Sequence, residues 1–281
     1  MEANERALGG GMTLVAGTEV YNSDAPPVKA RGAVYTEADL DNVLRGSMSH
    51  ILWDDVGTAD LETILSSFVT TDFSEKSIKR ILSNSPTPKN WRVGEGLAEA
   101  FLVEHRACEF PWPSGRDLKN QNASPAGTDL VGFQKTSASE NIHRFAFGEV
   151  KTSSQNEYPP GVMHGRNGLK KQLEALRDST EVKDSLVKYL GFHASNSSWS
   201  QIFQSATTRY LANPCDVSLF GMLVRDVEPK KEDLESRARD LSIGCPPETI
   251  IELRAMYLPK DKINSLSELA LAARRDSNGQ N

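Results

Sequence analysis

The pattern of apolar and polar positions changes near residue 90. Before that point, apolar residues recur at helical spacing in three segments, residues 36–53, 58–69 and 74–83. Thr36, with acidic residues after it, is typical of a helix N-terminus. Residues 1–33 have little periodicity and predict a loosely ordered start with a short strand, and the composition of residues 84–90 indicates a linker. The pattern predicts a mostly helical N-terminal region over residues 1–90.

Strand-like runs enter after that region. Short apolar runs predict strands at residues 128–134, 142–150, 216–227 and 249–258. Helical spacing predicts helices at residues 93–106, 169–178, 182–190, 198–211, 230–241 and 265–275. A mixture of strands and helices in this order predicts the α/β (α+β) class, with one mixed central sheet flanked by helices. We expect this second domain to cover residues 91–281.

Composition and charge narrow the function classes. An apolar content of 38% with 25% charged residues is that of an ordinary soluble globular protein. No run approaches the length of a membrane span, no leader pattern opens the sequence, and the three cysteines are widely spaced, so we expect a cytoplasmic protein without membrane contact. The net charge of −6 argues against coating nucleic acid by bulk charge. Binding to DNA would need a local basic surface or a more basic partner.

Charged residues collect at one end of a predicted hairpin. If residues 128–134 and 142–150 pair antiparallel with a turn centred on Ser139, Asp129 lies opposite Glu149. Alternation then places Glu149 and Lys151 on one face and Val150 on the other. The same register predicts four apolar residues on the acidic face, Val131, Phe133, Phe145 and Phe147. Five residues on the reverse face, several of them small, leave room for a helix: Leu130, Gly132, Ala146, Gly148 and Val150.

Two carboxylates this close repel each other unless a cation lies between them. Ligands that are all oxygen favour a hard ion, Mg²⁺ or Mn²⁺, with water and substrate phosphate completing its shell. Lys151 beside such an ion would stabilise the charge that develops on phosphorus or help to deprotonate the attacking water. Asp129, Glu149 and Lys151 therefore predict hydrolysis of a phosphodiester.

The two neighbouring helices add candidate residues. Glu95 and Glu99 share one helix face at i, i+4 spacing, with no lysine at i+4 to relieve either, and each can extend the metal site, with Glu95 favoured. In the helix at residues 169–178, Gln172 lies at the edge of the leucine stripe. A local basic surface is predicted near the start of that helix, at Arg166, Lys170 and Lys171.

An aspartate, a spacer of about 20 residues and then Glu-X-Lys resemble the PD-(D/E)XK nuclease superfamily. Four segments carry the resemblance: GEGLAE (94–99), GTDLVGF (127–133), GEVK (148–151) and KKQL (170–173). It implies that Asp129, Glu149 and the Val150 carbonyl hold Mg²⁺ while Lys151 stabilises charge. Thr128 stands where the superfamily usually has proline, which makes the motif less specific.

A narrower resemblance covers about residues 30–270. WRVGEGLAEAF, GTDLVGF and FGEVKTS are similar to the nuclease subunit of Hachiman-type bacterial antiphage systems. This resemblance implies a role in defence against invading DNA, in a hetero-complex with a helicase subunit.

Three other interpretations stay open at this point. Asp129, Glu149 and Lys151 can form an ordinary ion pair at a sheet edge, which would contribute about 0–1 kcal/mol. The chain can be a catalytically inactive interaction subunit that keeps the fold, or a sequence-specific restriction enzyme. No GxSxG or Walker-type motif supports a serine hydrolase or a P-loop ATPase.

Overall fold

The computed structural model describes residues 14–68, 72–82, 87–117, 127–137 and 141–278. The predicted turn at Ser139 lies outside these ranges, as do the first part of the predicted linker and most of the polar segment between residues 113 and 127. Inside them, the chain forms one seven-stranded mixed sheet covered by helices on both faces. The predicted α/β (α+β) architecture is confirmed.

The strands run in the order β1-β2-β7-β6-β5-β4-β3 across the sheet. Their bounds are Thr18–Asn22 (β1), Lys29–Val34 (β2), Cys108–Glu109 (β3), Leu130–Lys135 (β4), His143–Ser153 (β5), Val217–Arg225 (β6) and Ile250–Tyr257 (β7). The four central strands, β2, β7, β6 and β5, are parallel, and the outer strands pair antiparallel. The carboxyl ends of the four parallel strands therefore share one edge of the sheet.

Ten α-helices lie in the described ranges. Their bounds are Glu37–Arg45 (α1), Ser47–Trp53 (α2), Asp55–Ser66 (α3), Asp72–Leu82 (α4), Asn90–Arg106 (α5), Leu169–Asp178 (α6), Thr180–Ala194 (α7), Ser200–Ala212 (α8), Glu235–Ser242 (α9) and Leu266–Asn278 (α10). One core packs α1, α2, α5 and α10 on the first face, and a second core packs α6 to α9 on the other. None of the helices described is both long and apolar enough to cross a membrane.

The N-terminal region departs from its prediction in two ways. The predicted helix over residues 36–53 is divided at Gly46 into α1 and α2, although Thr36 does cap α1 in a reciprocal capping box with Asp39. The region also supplies two strands, and β2 pairs parallel with β7 in the middle of the sheet. The N-terminal region thus contributes β1 and β2 to the central sheet, and a domain boundary at residue 90 stays a prediction.

Candidate active site

The hairpin of β4 and β5 has the register expected from its alternation. Val131 lies opposite Phe147 and Phe133 opposite Phe145, which confirms the predicted pairing. Gly94 of α5 approaches the reverse face so closely that a Cβ there would lie 2.1 Å from the Thr152 side-chain oxygen. Because α5 occupies that face, the acidic face of the hairpin looks towards α6.

Asp129 precedes β4 at the open end of this hairpin. Its Oδ2 accepts a hydrogen bond from the backbone amide of Val150 at 2.8 Å. The N–H and C=O of a strand residue point towards the same neighbouring strand, so the Val150 carbonyl is also directed to the side of Asp129. The structure thereby brings together the two carboxylates and the carbonyl that were predicted to hold a metal.

Glu149 lies almost completely buried beside Asp129, with 2% of its surface exposed. The Lys151 ammonium is 3.6 Å from Glu149 Oε2, which is beyond hydrogen-bonding distance. That oxygen has no hydrogen-bond partner among the described residues. A buried carboxylate oxygen without a partner is costly, and its presence indicates a place where a further group would be stabilised.

The two carboxyl groups cannot both ionise easily. Burial and the charge of Asp129 raise the pKa of Glu149 to about 8. Burial also raises the pKa of Asp129, against the opposing effects of the Val150 amide and the Lys151 ammonium. At neutral pH the pair therefore carries less than two full negative charges, and a bound divalent cation would favour ionisation of both.

Helix α5 adds two more carboxyl groups with perturbed acidity. Burial and the charge of Asp129 raise the pKa of Glu95 to about 7, and burial raises the pKa of Glu99 to about 7. The charge of Asp129 contributes to the raised pKa of Glu95, so Glu95 lies within electrostatic reach of Asp129, which favours Glu95 over Glu99.

Arg92 was not among the predicted site residues. Its Nη1 donates to Glu95 Oε2 at 3.1 Å, and its charge lowers the pKa of both Glu95 and Glu99. The signal was present in the sequence as an arginine three residues before Glu95, a spacing that brings side chains together on a helix. The positive charge that compensates the two glutamates therefore comes from an arginine that precedes them, and not from a lysine four residues after either one.

Gln172 lies on the helix that covers the acidic face. Gly221 pairs with Glu149 across β5 and β6, and a Cβ on Gly221 would lie 2.7 Å from Cδ1 of Leu173 in α6. Next to Leu173, the side-chain oxygen of Gln172 is buried and has no hydrogen-bond partner among the described residues. A second unpaired oxygen therefore belongs to the helix that packs over Glu149.

The predicted basic surface is weaker than its sequence indicates. The Lys170 ammonium lies 2.7 Å from an oxygen of Asp240, and the Lys171 ammonium lies 2.8 Å from an oxygen of Glu174. Arg166 is exposed and forms no ion pair with any described residue. Of the three residues, only Arg166 offers an uncompensated charge to a phosphate without breaking an existing pair.

The donor set fits a hard divalent cation. Among the residues that the structure describes, no cluster of three or more His, Cys, Asp or Glu is arranged to hold a metal ion. Mg²⁺ does not need such a cluster, because it is commonly held by one or two carboxylates while waters and substrate phosphate complete its shell. Asp129, Glu149 and the Val150 carbonyl supply that smaller set, and Glu149 Oε2 makes no hydrogen bond to a described residue that metal binding would break.

No protein-family model matches this chain, and no curated protein is significantly similar to it. A functional assignment therefore depends on the chemistry of the site.

Proposed function

We propose that this chain is a Mg²⁺-dependent deoxyribonuclease, in which Mn²⁺ can substitute for Mg²⁺. The observation that carries the proposal is the buried carboxyl pair of Asp129 and Glu149, whose unpaired oxygen lies 3.6 Å from the Lys151 ammonium. Two carboxylates and a lysine at the end of one hairpin are the groups that metal-assisted phosphodiester hydrolysis requires. An ordinary surface ion pair would not be buried or leave an oxygen unpaired.

Each residue has a role that follows from its contacts. Asp129, Glu149 and the Val150 carbonyl would hold the metal, which when bound supplies Lewis-acid activation of the phosphate and of water. Lys151 would stabilise negative charge that develops on the phosphate oxygens. Glu95 would assist, and its hydrogen bond from Arg92 fixes its orientation.

Glu99 and Gln172 are proposed as supporting residues. The charge of Arg92 lowers the pKa of both Glu95 and Glu99, so the ionisation of Glu99 is linked to that of Glu95. The unpaired amide oxygen of Gln172 would accept a hydrogen bond from a water or from the substrate.

DNA and a protein partner belong to the same proposal. Arg166, with Lys170 and Lys171 after release of their acidic partners, would contact the DNA backbone. The net charge of −6 is unfavourable for binding DNA, which supports a second, more basic subunit that holds the DNA. On the resemblance of WRVGEGLAEAF, GTDLVGF and FGEVKTS to the nuclease subunit of Hachiman-type systems, we infer a helicase partner and a role in bacterial antiphage defence.

The direct test measures degradation of supercoiled plasmid, linear duplex, single-stranded DNA and RNA. Reactions contain Mg²⁺, Mn²⁺ or EDTA, with and without a co-purified partner. We expect cleavage of DNA with either metal, none in EDTA, and loss of cleavage in Glu149→Gln. The matched control is Glu75→Gln, which removes an exposed carboxylate paired with Lys79 on helix α4, outside the site.

The outcomes separate the alternatives. Equal cleavage by wild type and Glu149→Gln would show that the site assignment is wrong. A stable complex with a partner, but no cleavage under any condition, would identify an inactive interaction subunit. Discrete fragments in place of a smear would identify a sequence-specific restriction enzyme, and cleavage of RNA alone would change the substrate class.

A further inference from the structure

A cavity of about 550 Å³ opens at the carboxyl ends of the parallel strands. It is lined by residues that follow β2, β5, β6 and β7, including Tyr35, Ser154, Asp226 and Leu258. Ligands of α/β proteins commonly bind outside the carboxyl ends of the strands, and volumes of this size are typical of small-molecule sites. None of these lining residues belongs to the proposed nuclease site.

Asp226 is the buried carboxylate of this cavity. The residue is 3% exposed, and its Oδ2 accepts a hydrogen bond from the backbone amide of Ile263 at 3.0 Å. Its Oδ1 has no hydrogen-bond partner in the described part of the chain. The preceding residue, Arg225, cannot serve as counterion, because it pairs with Asp233 at 2.7 Å and both side chains are fully buried. Asp226 thus has a carboxyl oxygen without a hydrogen-bond partner at the wall of a cavity.

The other lining residues define what would satisfy Asp226. Glu228 and Asp261 are also acidic, and Lys260 is the one basic residue that lines the cavity among the described residues. A surplus of carboxylates repels phosphates and other anions and attracts cations. Val34, Tyr35, Val227 and Leu258 supply apolar wall for a carbon skeleton. The volume of about 550 Å³ and the apolar wall exceed what a metal ion would occupy, so the cation that fits is organic.

We propose that this cavity binds a small organic cation with terminal ammonium or guanidinium groups, of the linear diamine type. One cationic group would donate to the unpaired Asp226 Oδ1, and the second would lie near Glu228 or Asp261 at the mouth. The methylene chain would lie along the wall that includes Tyr35 and Leu258. This binding function is separate from phosphodiester hydrolysis and does not depend on it.

Calorimetry and thermal unfolding of the full chain test the proposal with putrescine and agmatine as probes. The matched neutral probe is 1,4-butanediol, which has the length of putrescine without its charges. We expect both cations to bind and to stabilise the protein, and the diol to do neither. Asp226→Asn should weaken binding about tenfold or more, since it removes a charge-assisted hydrogen bond. Asp240→Asn, on α9 outside the cavity, should not change binding.

Two further variants keep the test decisive if Asp226→Asn does not fold. Ser154 is exposed at the cavity, so Ser154→Trp should fold and block binding by filling space. Lys151→Ala should bind the cations as wild type does, even if it abolishes DNA cleavage, which separates this proposal from the nuclease proposal. Equal binding by 1,4-butanediol, unchanged binding by Asp226→Asn or Ser154→Trp, or binding of neither cation to the wild-type protein would each overturn the proposal.

Discussion

Asp129 is tied to the strand that carries the other site residues, because its Oδ2 accepts a hydrogen bond from the Val150 amide at 2.8 Å. Val150 lies between Glu149 and Lys151, so one backbone contact fixes the relative positions of all three charged side chains. The hairpin pairing through Val131 and Phe147 holds the two segments in register. The candidate site is therefore prearranged on rigid strands and needs no large rearrangement to bind a cation.

Lys151→Ala should lower the rate of Mg²⁺-dependent DNA cleavage by about 100-fold or more, because it removes a positive charge placed to stabilise the phosphate in the transition state. Single-turnover kinetics on linear duplex measure the effect. Lys79→Ala, which removes an exposed lysine paired with Glu75 on helix α4, is the matched control and should cleave within a few-fold of wild type. Comparable losses in both variants would contradict a specific role for Lys151.

Mn²⁺ should raise the melting temperature of the wild-type protein and have no such effect on Asp129→Asn. A cation that binds only the folded state stabilises it by mass action, by about 2.7 kcal/mol when its concentration is 100 times the dissociation constant. Differential scanning calorimetry with Mn²⁺ and with EDTA gives the difference. Asp178→Asn, at an exposed carboxylate far along α6, is the control. If Asp129→Asn keeps the full Mn²⁺ shift, Asp129 is not a ligand.

Without metal, the free energy of unfolding should fall as the pH rises from about 4.5 to about 8. In that window Glu149, with a pKa of about 8, keeps a proton that the unfolded chain, with an ordinary pKa of 4.5, has lost. The folded state binds more protons, so stability decreases with rising pH. Urea titrations in EDTA at several pH values measure the slope.

Glu149→Gln should make that decrease shallower and move its end from about pH 8 to about pH 7. The remaining slope comes from Asp129, whose pKa burial also raises, and from Glu95 and Glu99, each with a pKa of about 7. An identical profile in wild type and Glu149→Gln would show that Glu149 ionises normally.

Arg92→Met should destabilise the protein by about 1–3 kcal/mol at pH 8, because the ionised Glu95 loses the buried hydrogen bond that it accepts from Arg92. The loss should be smaller at pH 5, where Glu95 and Glu99 are protonated. Combining Arg92→Met with Glu95→Gln should restore part of the stability at pH 8. Lys79→Met, which breaks the exposed pair with Glu75, should leave stability nearly unchanged, because solvent screens that pair.

Gly94→Ala should destabilise the contact between α5 and β5. The added Cβ would meet the Thr152 side-chain oxygen at 2.1 Å, and relieving such a clash typically costs about 1–3 kcal/mol. Thr152→Ala removes that oxygen, so the double variant should recover most of the loss measured by urea unfolding. Failure of Thr152→Ala to rescue Gly94→Ala would show that the helix packs differently.

The hairpin could be predicted from the sequence because its two strands are close together in the chain and each alternates between apolar and polar or small residues. Alternation forces Val131 and Phe147 onto one face, and a slip of one residue would expose them. Asp129 and Glu149 follow from that register without knowledge of the remaining sheet. The same is true of the Thr36 cap, whose partner lies three residues away.

Contacts between distant segments could not be predicted in this way. The charge of Lys170 is compensated by Asp240, which lies on another helix. The basic surface predicted from the sequence around Lys170 is therefore less positive in the structure. The pairing of β2 with β7 likewise depends on residues far apart in the chain. The polar wall of the cavity, including Asp226, consists of four loops that no single motif connects.

The position of β2 has a consequence for how the protein is made. Lys29 pairs with Glu252, so β2 leaves the ribosome long before the strand that will become its inner neighbour. Until β7 follows, β2 presents an unpaired edge, which is the kind of surface that attracts chaperones or other nascent chains. Folding dominated by such distant pairing is slow. Yield in cells should therefore depend more on the rate of synthesis and on chaperone supply than on the stability of the finished sheet.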